Sequence, residues 1–433
     1  MSRAHTVAFF PEAAYGPALN SVAIAQAVSD LGHEAVFLTD PSLTSVFEER
    51  GFETVEVDMS DPTLTPEEKA NYWDEFINRH IPNFDDPPYD QLDTYVVECW
   101  EAIVDTAKWA EADLPEALES VDPDVVCVDN VIAFPAILGS DVPWVRITSC
   151  SETEIPDPNV PPYLSGCLAD DREGHHAFEA RYKEVIGPVH DEFNEFLAEN
   201  GVEPYPRGLF LEPSPYLNLL KYPDRLRWDR WNQLDPDRFR YINGCVREDE
   251  PEYEVPAFDG HGDEALLYLG FGSLGAGDTE LMKRFLRFFG DRPYRCLVNV
   301  GEYAEEYDEG GIPANVRVER WFPQQSVVEQ ADVVIHHGGN NTFNECLYYG
   351  TPAVVMPYVW DGHDNATRLD ETDHGLKLHR SNWSDDELEA AIETCLTDET
   401  IRSNVATTAE EMQAAQGRET AARLIDELLV EHV

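Results

Sequence analysis

Short apolar runs recur along the chain, with helically spaced stretches between most of them. Runs this short and this apolar read as strands buried on both faces. Strands alternating with helices need crossover connections, and hence a parallel sheet. In the first half the runs are Thr6–Phe10, Ala35–Thr39, Thr54–Val57, Asp124–Val128 and Trp144–Thr148. Between the first two, Leu19–Leu31 has helical spacing and Gly32 stops it. Residues 249–264 are polar, bear Pro and Gly, and read as a linker. A second series follows: Ala265–Leu269, Arg295–Val300, Val316–Glu319, Asp332–His336 and Ala353–Met356, with helices closing the chain from Ser384. The expectation is an α/β chain of two doubly wound, Rossmann-like domains, 1–248 and 265–433. A length of 433 residues, more than one core usually takes, agrees with two.

Two stretches interrupt the rhythm of the first half. Ser60–Leu118 is rich in aromatics (Tyr72, Trp73, Phe76, Phe84, Tyr89, Tyr95, Trp100, Trp109), and Glu152–Arg247 has Pro-rich turns with a helical pattern near Glu173–Asn200. Such aromatics serve either as local core or as the lining of an apolar pocket.

Charge restricts the setting and the partners. Asp and Glu number 85 against 30 Lys and Arg, a formal net charge of −55, and only six of the 30 cations are lysine. The acids are spread along the whole chain, as suits a cytoplasm with molar salt, where a Debye length of about 3 Å screens self-repulsion. That points to a halophile's cytoplasmic protein. Nucleic acid is excluded as a partner, because phosphate neutralisation needs clustered Lys and Arg. Eight cysteines occur singly with no CxxC pair, which fits reduced thiols rather than a disulfide or zinc framework. No apolar run has membrane-spanning length, and Pro11 and Glu12 follow Thr6–Phe10 too soon for a secretory signal.

The most informative segment is Trp321–Asn365, WFPQQSVVEQADVVIHHGGNNTFNECLYYGTPAVVMPYVWDGHDN. Asp332–His336 reads as a buried parallel strand that ends in His337-Gly338-Gly339. Asn340-Asn341-Thr342 then opens a helix that Gly350 ends. Two glycines let a ligand approach the backbone, and the helix N-terminus offers free N–H groups with the positive dipole end. Asn and Thr side chains and the imidazole add donors. This is a diphosphate cradle at the carboxyl edge of a parallel sheet, where open α/β folds bind ligands. Glu345 lies one turn beyond Asn341, on the same helix face, and can accept from ribose hydroxyls. Trp321 precedes Pro323-Gln324, where a flat ring beside exposed backbone groups can stack a base.

Taken together, Trp321, Pro323, Gln324, His337, Gly339, Asn341, Thr342, Glu345, Gly350, Pro352 and Asp361 resemble, in order and spacing, the nucleotide-sugar signature of family 1 glycosyltransferases, the UDP-glycosyltransferase superfamily. The resemblance extends to Gly270-Phe271-Gly272-Ser273, a small-residue loop facing the interdomain cleft, and to the N-terminal strand–turn–helix ending in Gly32-His33. It implies the GT-B fold, in which two domains face each other across a cleft. The N-domain would take the acceptor, the C-domain the UDP-sugar, and the last helices would cross back to the N-domain. Trp321 would stack uracil, Gln324 would hold the nucleoside, and Glu345 would bind ribose. His337, Asn341 and Thr342 would contact the diphosphate, Asp361 would hold the donor sugar's hydroxyls, and Ser273, Gly339 and Asn340 would complete the donor-binding site. The implied reaction is hexose transfer with inversion to a small, apolar or lipid-like acceptor. A lipid acceptor would bring peripheral membrane contact. No metal or other cofactor is implied, and the DGHD stretch Asp361–Asp364 reads as a sugar contact plus a helix start.

Two positions depart from the pattern. The family's Gln after the sugar-binding Asp is Gly362, and the family's catalytic His, sixteen residues before the match at His33, is Pro17. Proline takes no proton. Asp129 matches the acid that supports the missing His and is the sequence candidate for the base, ahead of His175 and His176, which read as solvated. A UDP-sugar epimerase of the same fold and a non-catalytic nucleotide-sugar-binding subunit are the alternative readings. Oligomeric state is not expressed in the sequence.

Overall fold

Thr6–Pro11 (β1) is buried at five of its six positions, as an apolar strand flanked on both sides must be. The structure is a computed structural model describing residues 4–432 apart from 248, 259, 261 and 308–310; the side chains of 66, 70, 71, 74, 273 and 274 are also left out. Around β1, the strands Glu34–Thr39 (β2), Glu53–Glu56 (β3), Val125–Asp129 (β4), Trp144–Thr148 (β5), Leu217–Leu220 (β6) and Phe239–Tyr241 (β7) form a parallel sheet in the order β3-β2-β1-β4-β5-β6-β7. The second sheet comprises Leu266–Gly270 (β8), Arg295–Asn299 (β9), Val316–Glu319 (β10), Val333–His336 (β11), Ala353–Val355 (β12) and Gly375–Lys377 (β13). Its order is β10-β9-β8-β11-β12-β13, again all parallel. These are two doubly wound Rossmann-like sheets. Each reverses its winding direction at one pair of strands, β1/β4 in the first and β8/β11 in the second.

Three strands lie outside the sequence expectation. β6 and β7 fall inside the Glu152–Arg247 stretch, and β13 has three residues. Segments this short carry no periodicity of their own. They are strands because β5 and β12 offer unpaired edges for them to complete. Aromatics of both interrupting stretches contribute core: Phe76, Phe84, Tyr95, Trp100 and Phe210 are buried in one cluster on a face of the first sheet, while Tyr89 and Trp231 are exposed. Trp100 stacks on Phe210 with centroids 3.8 Å apart. His175, expected to be solvated, is buried and hydrogen-bonds through Nε2 to Leu168 O at 2.8 Å, because its helix Arg172–Val185 turns that face inward.

The halves are tied at several places. The final helix Gly417–His432 inserts Ala421, Ala422, Ile425 and Leu429 into the first domain's other core, beside the helix Val22–Asp30. On the opposite side, Asp364 of the helix Gly362–Glu371 accepts from Thr153 Oγ1 at 2.7 Å, Leu164 N at 2.9 Å and Gly166 N at 2.8 Å. All eight cysteines are free thiols. Among the described residues no helix is long and apolar enough to cross a membrane.

Candidate functional site

The C-domain half of the site lies at the β8/β11 reversal. β11 ends at His336, whose Nδ1 accepts from the Gly338 N–H at 3.1 Å, and the helix Asn340–Tyr349 begins four residues after His336. Gly338 has φ +94°, and a Cβ there would stand 2.7 Å from Gly362 O, so glycine alone permits the loop to lie against the next helix start. His337 stacks on Tyr358 at 5.0 Å and lies against Gly272 of the β8 loop. Burial pulls its pKa down to about 4, so at neutral pH it is an uncharged imidazole with one N–H to give. Among the described residues its buried Nδ1 has no hydrogen-bond partner.

Gln324, Thr342 and Glu345 are brought together, as the resemblance implies. Gln324 Nε2 donates to Glu345 Oε2 at 2.6 Å and to Thr342 Oγ1 at 3.1 Å, and Tyr268 donates its hydroxyl to Gln324 Oε1 at 3.1 Å. Glu345 is buried, which raises its pKa; Arg247, 3.8 Å away, and the Gln324 amide oppose that rise. Trp321 stands beside this cluster in sequence and is 51% exposed, an unusual state for indole unless something covers it. Asp361 precedes the helix Gly362–Glu371. Asn365 Nδ2 ties it to the glycine loop, donating to Asp361 Oδ2 at 3.2 Å and to Gly338 O at 2.9 Å. Burial, then the charges of Asp364, Glu154 and Glu12, push the Asp361 carboxyl up to about 8. The Ser273 side chain lies outside the described residues.

Asn340 and Asn341 face the other domain. Asn340 Nδ2 donates to Ser149 O, and Asn341 Nδ2 donates to Gly16 O at 2.9 Å. Their side-chain amides therefore join the start of this helix to the N-domain, Asn340 to the segment after β5 and Asn341 to the first loop, leaving the helix N–H groups to face a ligand.

The N-domain half lies at the β1/β4 reversal. Asp129 is 3% exposed, and both its oxygens accept from hydroxyls: Ser149 Oγ at 2.5 Å and Ser21 Oγ at 2.7 Å. Burial raises its pKa to about 6 against those two hydrogen bonds. Each oxygen of Asp129, the sequence candidate for the base, is thus engaged by a serine hydroxyl in this arrangement. Ser21 occupies the N-cap position of Val22–Asp30 yet makes no cap hydrogen bond, since its hydroxyl is turned to Asp129.

Sequence reasoning passed over two groups here. Lys221, at the carboxyl end of β6, is buried with Nζ 3.0 Å from Asn341 Oδ1 and 3.3 Å from Asn20 Oδ1, placing a cation behind the cradle. The signal was available: a lysine ending an apolar run, Leu217–Leu220, in a chain with so few lysines. The other is Glu12, the first residue beyond β1, whose pKa is raised to about 7 by burial and by the Asp129 and Glu154 charges.

Comparison with known proteins bears on the fold. Residues 297–427 match the family described as Erythromycin biosynthesis protein CIII-like, C-terminal domain. The NDP-glycosyltransferase YjiC of Bacillus subtilis (strain 168) is 26% identical over 254 residues, 58% of this chain and 64% of the relative. Oleandomycin glycosyltransferase of Streptomyces antibioticus is 26% identical over 251 residues, 57% of each chain. The chain thus spans under two thirds of the length of either relative. Among solved structures, the glycotransferase of kitacinnamycin superposes with a TM-score of 0.74 at 21% identity, covering 99% of this chain and 100% of that one. The glycosyltransferase VinC in complex with DTDP gives 0.65 at 18% identity, covering 98% and 100%. The chain has the GT-B fold of these glycosyltransferases.

Proposed function

We propose that this protein transfers a hexose from a UDP-sugar to a small apolar or lipid-like acceptor, with inversion at the anomeric carbon. The observation that carries this reading is the meeting of the two sheet reversals. The N-terminus of Asn340–Tyr349 touches the first N-domain loop through Asn341 and Gly16, so a group bound at either reversal faces the other. On this reading Trp321 stacks the uracil and Gln324 holds its edge. Glu345, kept in place by Gln324 and Arg247, accepts from ribose. The diphosphate lies on the helix N–H groups and takes the single His337 N–H, so the departing charge is held by dipoles and hydrogen bonds. Asp361 holds sugar hydroxyls. The acceptor lies against Tyr163 and Trp360, the partly buried edge of the aromatic cluster that Trp100 and Phe210 support from behind.

The acceptor oxygen attacks C1 as the C1–O bond to the β-phosphate breaks, and UDP leaves with the electron pair. The relatives named above are glycosyltransferases, which does not favour an epimerase or a non-catalytic subunit. The test is release of UDP or TDP from UDP-glucose, UDP-N-acetylglucosamine and dTDP-glucose in molar KCl, with and without alcohol acceptors. Release from the UDP-sugars supports the reading, release from dTDP-glucose alone moves the donor to thymidine, and no release from any of them overturns transferase activity. His337→Ala should weaken UDP binding far more than uridine binding; equal losses would remove His337 from the diphosphate.

A further inference from the structure

Glu12 is the first side chain beyond β1, and its N–H donates to Asp129 O at 2.9 Å, which fixes it at the β1/β4 reversal. The loop it opens reaches both halves of the cleft. Ala13 packs on the aromatic cluster that contains Trp100, Phe210 and Trp360, and Gly16 O accepts from Asn341 at the donor helix. Glu12 therefore stands between the proposed acceptor lining and the proposed diphosphate cradle. It is partly exposed, and among the described residues its carboxylate makes no hydrogen bond. That contrasts with Asp129, whose oxygens are both covered, and with Pro17, which has nothing to titrate.

We propose that Glu12 is the general base of this site, an inference that rests on the glycosyltransferase reading above. The acceptor O–H gives its proton to a Glu12 carboxylate oxygen while the acceptor oxygen forms its bond to C1, and the C1–phosphate bond breaks with its electron pair leaving on UDP. Asp129 is then a positioning residue: it anchors Ser21 and Ser149 and adds negative charge that keeps Glu12 basic. The groups that face Glu12 electrostatically are Asp129, Glu154, Asp361, Tyr95, Cys99 and Cys150, none of them cationic. A carboxylate in that company holds its proton to about neutral pH, the range in which a base is most effective.

The experiment uses the full chain with UDP-glucose, water, benzyl alcohol and the phenol 4-methylumbelliferone. Glu12→Gln should lower kcat at least about 10²-fold with benzyl alcohol and much less with the more acidic phenol, with UDP affinity and thermal stability kept. The wild-type kcat/KM should rise with pH through about 7 as Glu12 deprotonates, and that limb should vanish in Glu12→Gln and persist in Glu12→Asp. An active wild type with Glu12→Gln unchanged, or with its pH limb intact, overturns the base assignment alone. A loss in Glu12→Gln matched by loss of UDP affinity, with Glu12→Asp equally impaired, also overturns it. A wild type that neither transfers nor hydrolyses any of the three nucleotide sugars overturns the transferase reading, and the base with it.

Discussion

Asp361 offers a test in which stability and binding should move in opposite directions. Its carboxyl is pushed from 3.8 to about 8, first by burial and then by Asp364, Glu154 and Glu12. An acid with a raised folded-state pKa stabilises the fold fully below its unfolded pKa, and that contribution is lost as pH climbs towards the folded value. At pH 8 the unfolded chain gains about four units of ionisation that the fold resists, a cost of up to about 5 kcal/mol at about 1.4 kcal/mol per unit. At pH 5 the same sum gives about 2 kcal/mol. Asp361→Asn removes the ionisation, and the amide oxygen can still accept from Asn365 Nδ2. Denaturant unfolding in molar KCl should find the variant more stable than the wild type, with a gap widening by up to about 3 kcal/mol from pH 5 to pH 8. The same variant should bind UDP-glucose more weakly and UDP as before. A gap that stays constant with pH, or a variant less stable than wild type at pH 8, would refute the electrostatic argument. Unchanged UDP-glucose affinity would refute the sugar contact.

Trp321→Ala should weaken UDP by about 1–3 kcal/mol in calorimetry, the scale of base–aromatic stacking, without changing the melting temperature, because the residue is half exposed and packs into no core among the described residues. The fold should gain stability as KCl rises from dilute to molar, since screening relieves the repulsion within a chain of formal charge −55. A flat or falling melting temperature across that series would sink the assignment to a cytoplasm rich in salt.

The alternation of apolar runs with helical spacing was enough to read two parallel α/β units, because a strand buried on both faces admits few polar residues. Trp144–Thr148 and Val316–Glu319 are strands at the very bounds their composition suggests. The cradle was legible for a related reason. A strand, two glycines and a helix start are local, so Gly338, Gly339 and the Asn340–Tyr349 helix follow from neighbours along the chain. Gln324 meeting Glu345 was legible only through a resemblance, since 21 residues separate them. What the tertiary structure alone decided is the state of each carboxylate and the strands at the sheet edges. β6, β7 and β13 have no pattern of their own and exist because a neighbouring strand leaves hydrogen-bonding groups open. Asp129 and Glu12 are both single acids beside an apolar run, and nothing local distinguishes them. The fold brings Ser21 and Ser149 to Asp129 across 108 and 20 residues, and among the described residues it brings no hydrogen-bond donor to the Glu12 carboxylate. Whether a carboxylate is covered or open depends on which remote side chains reach it, and that is settled only when β1, β4 and β5 pack side by side.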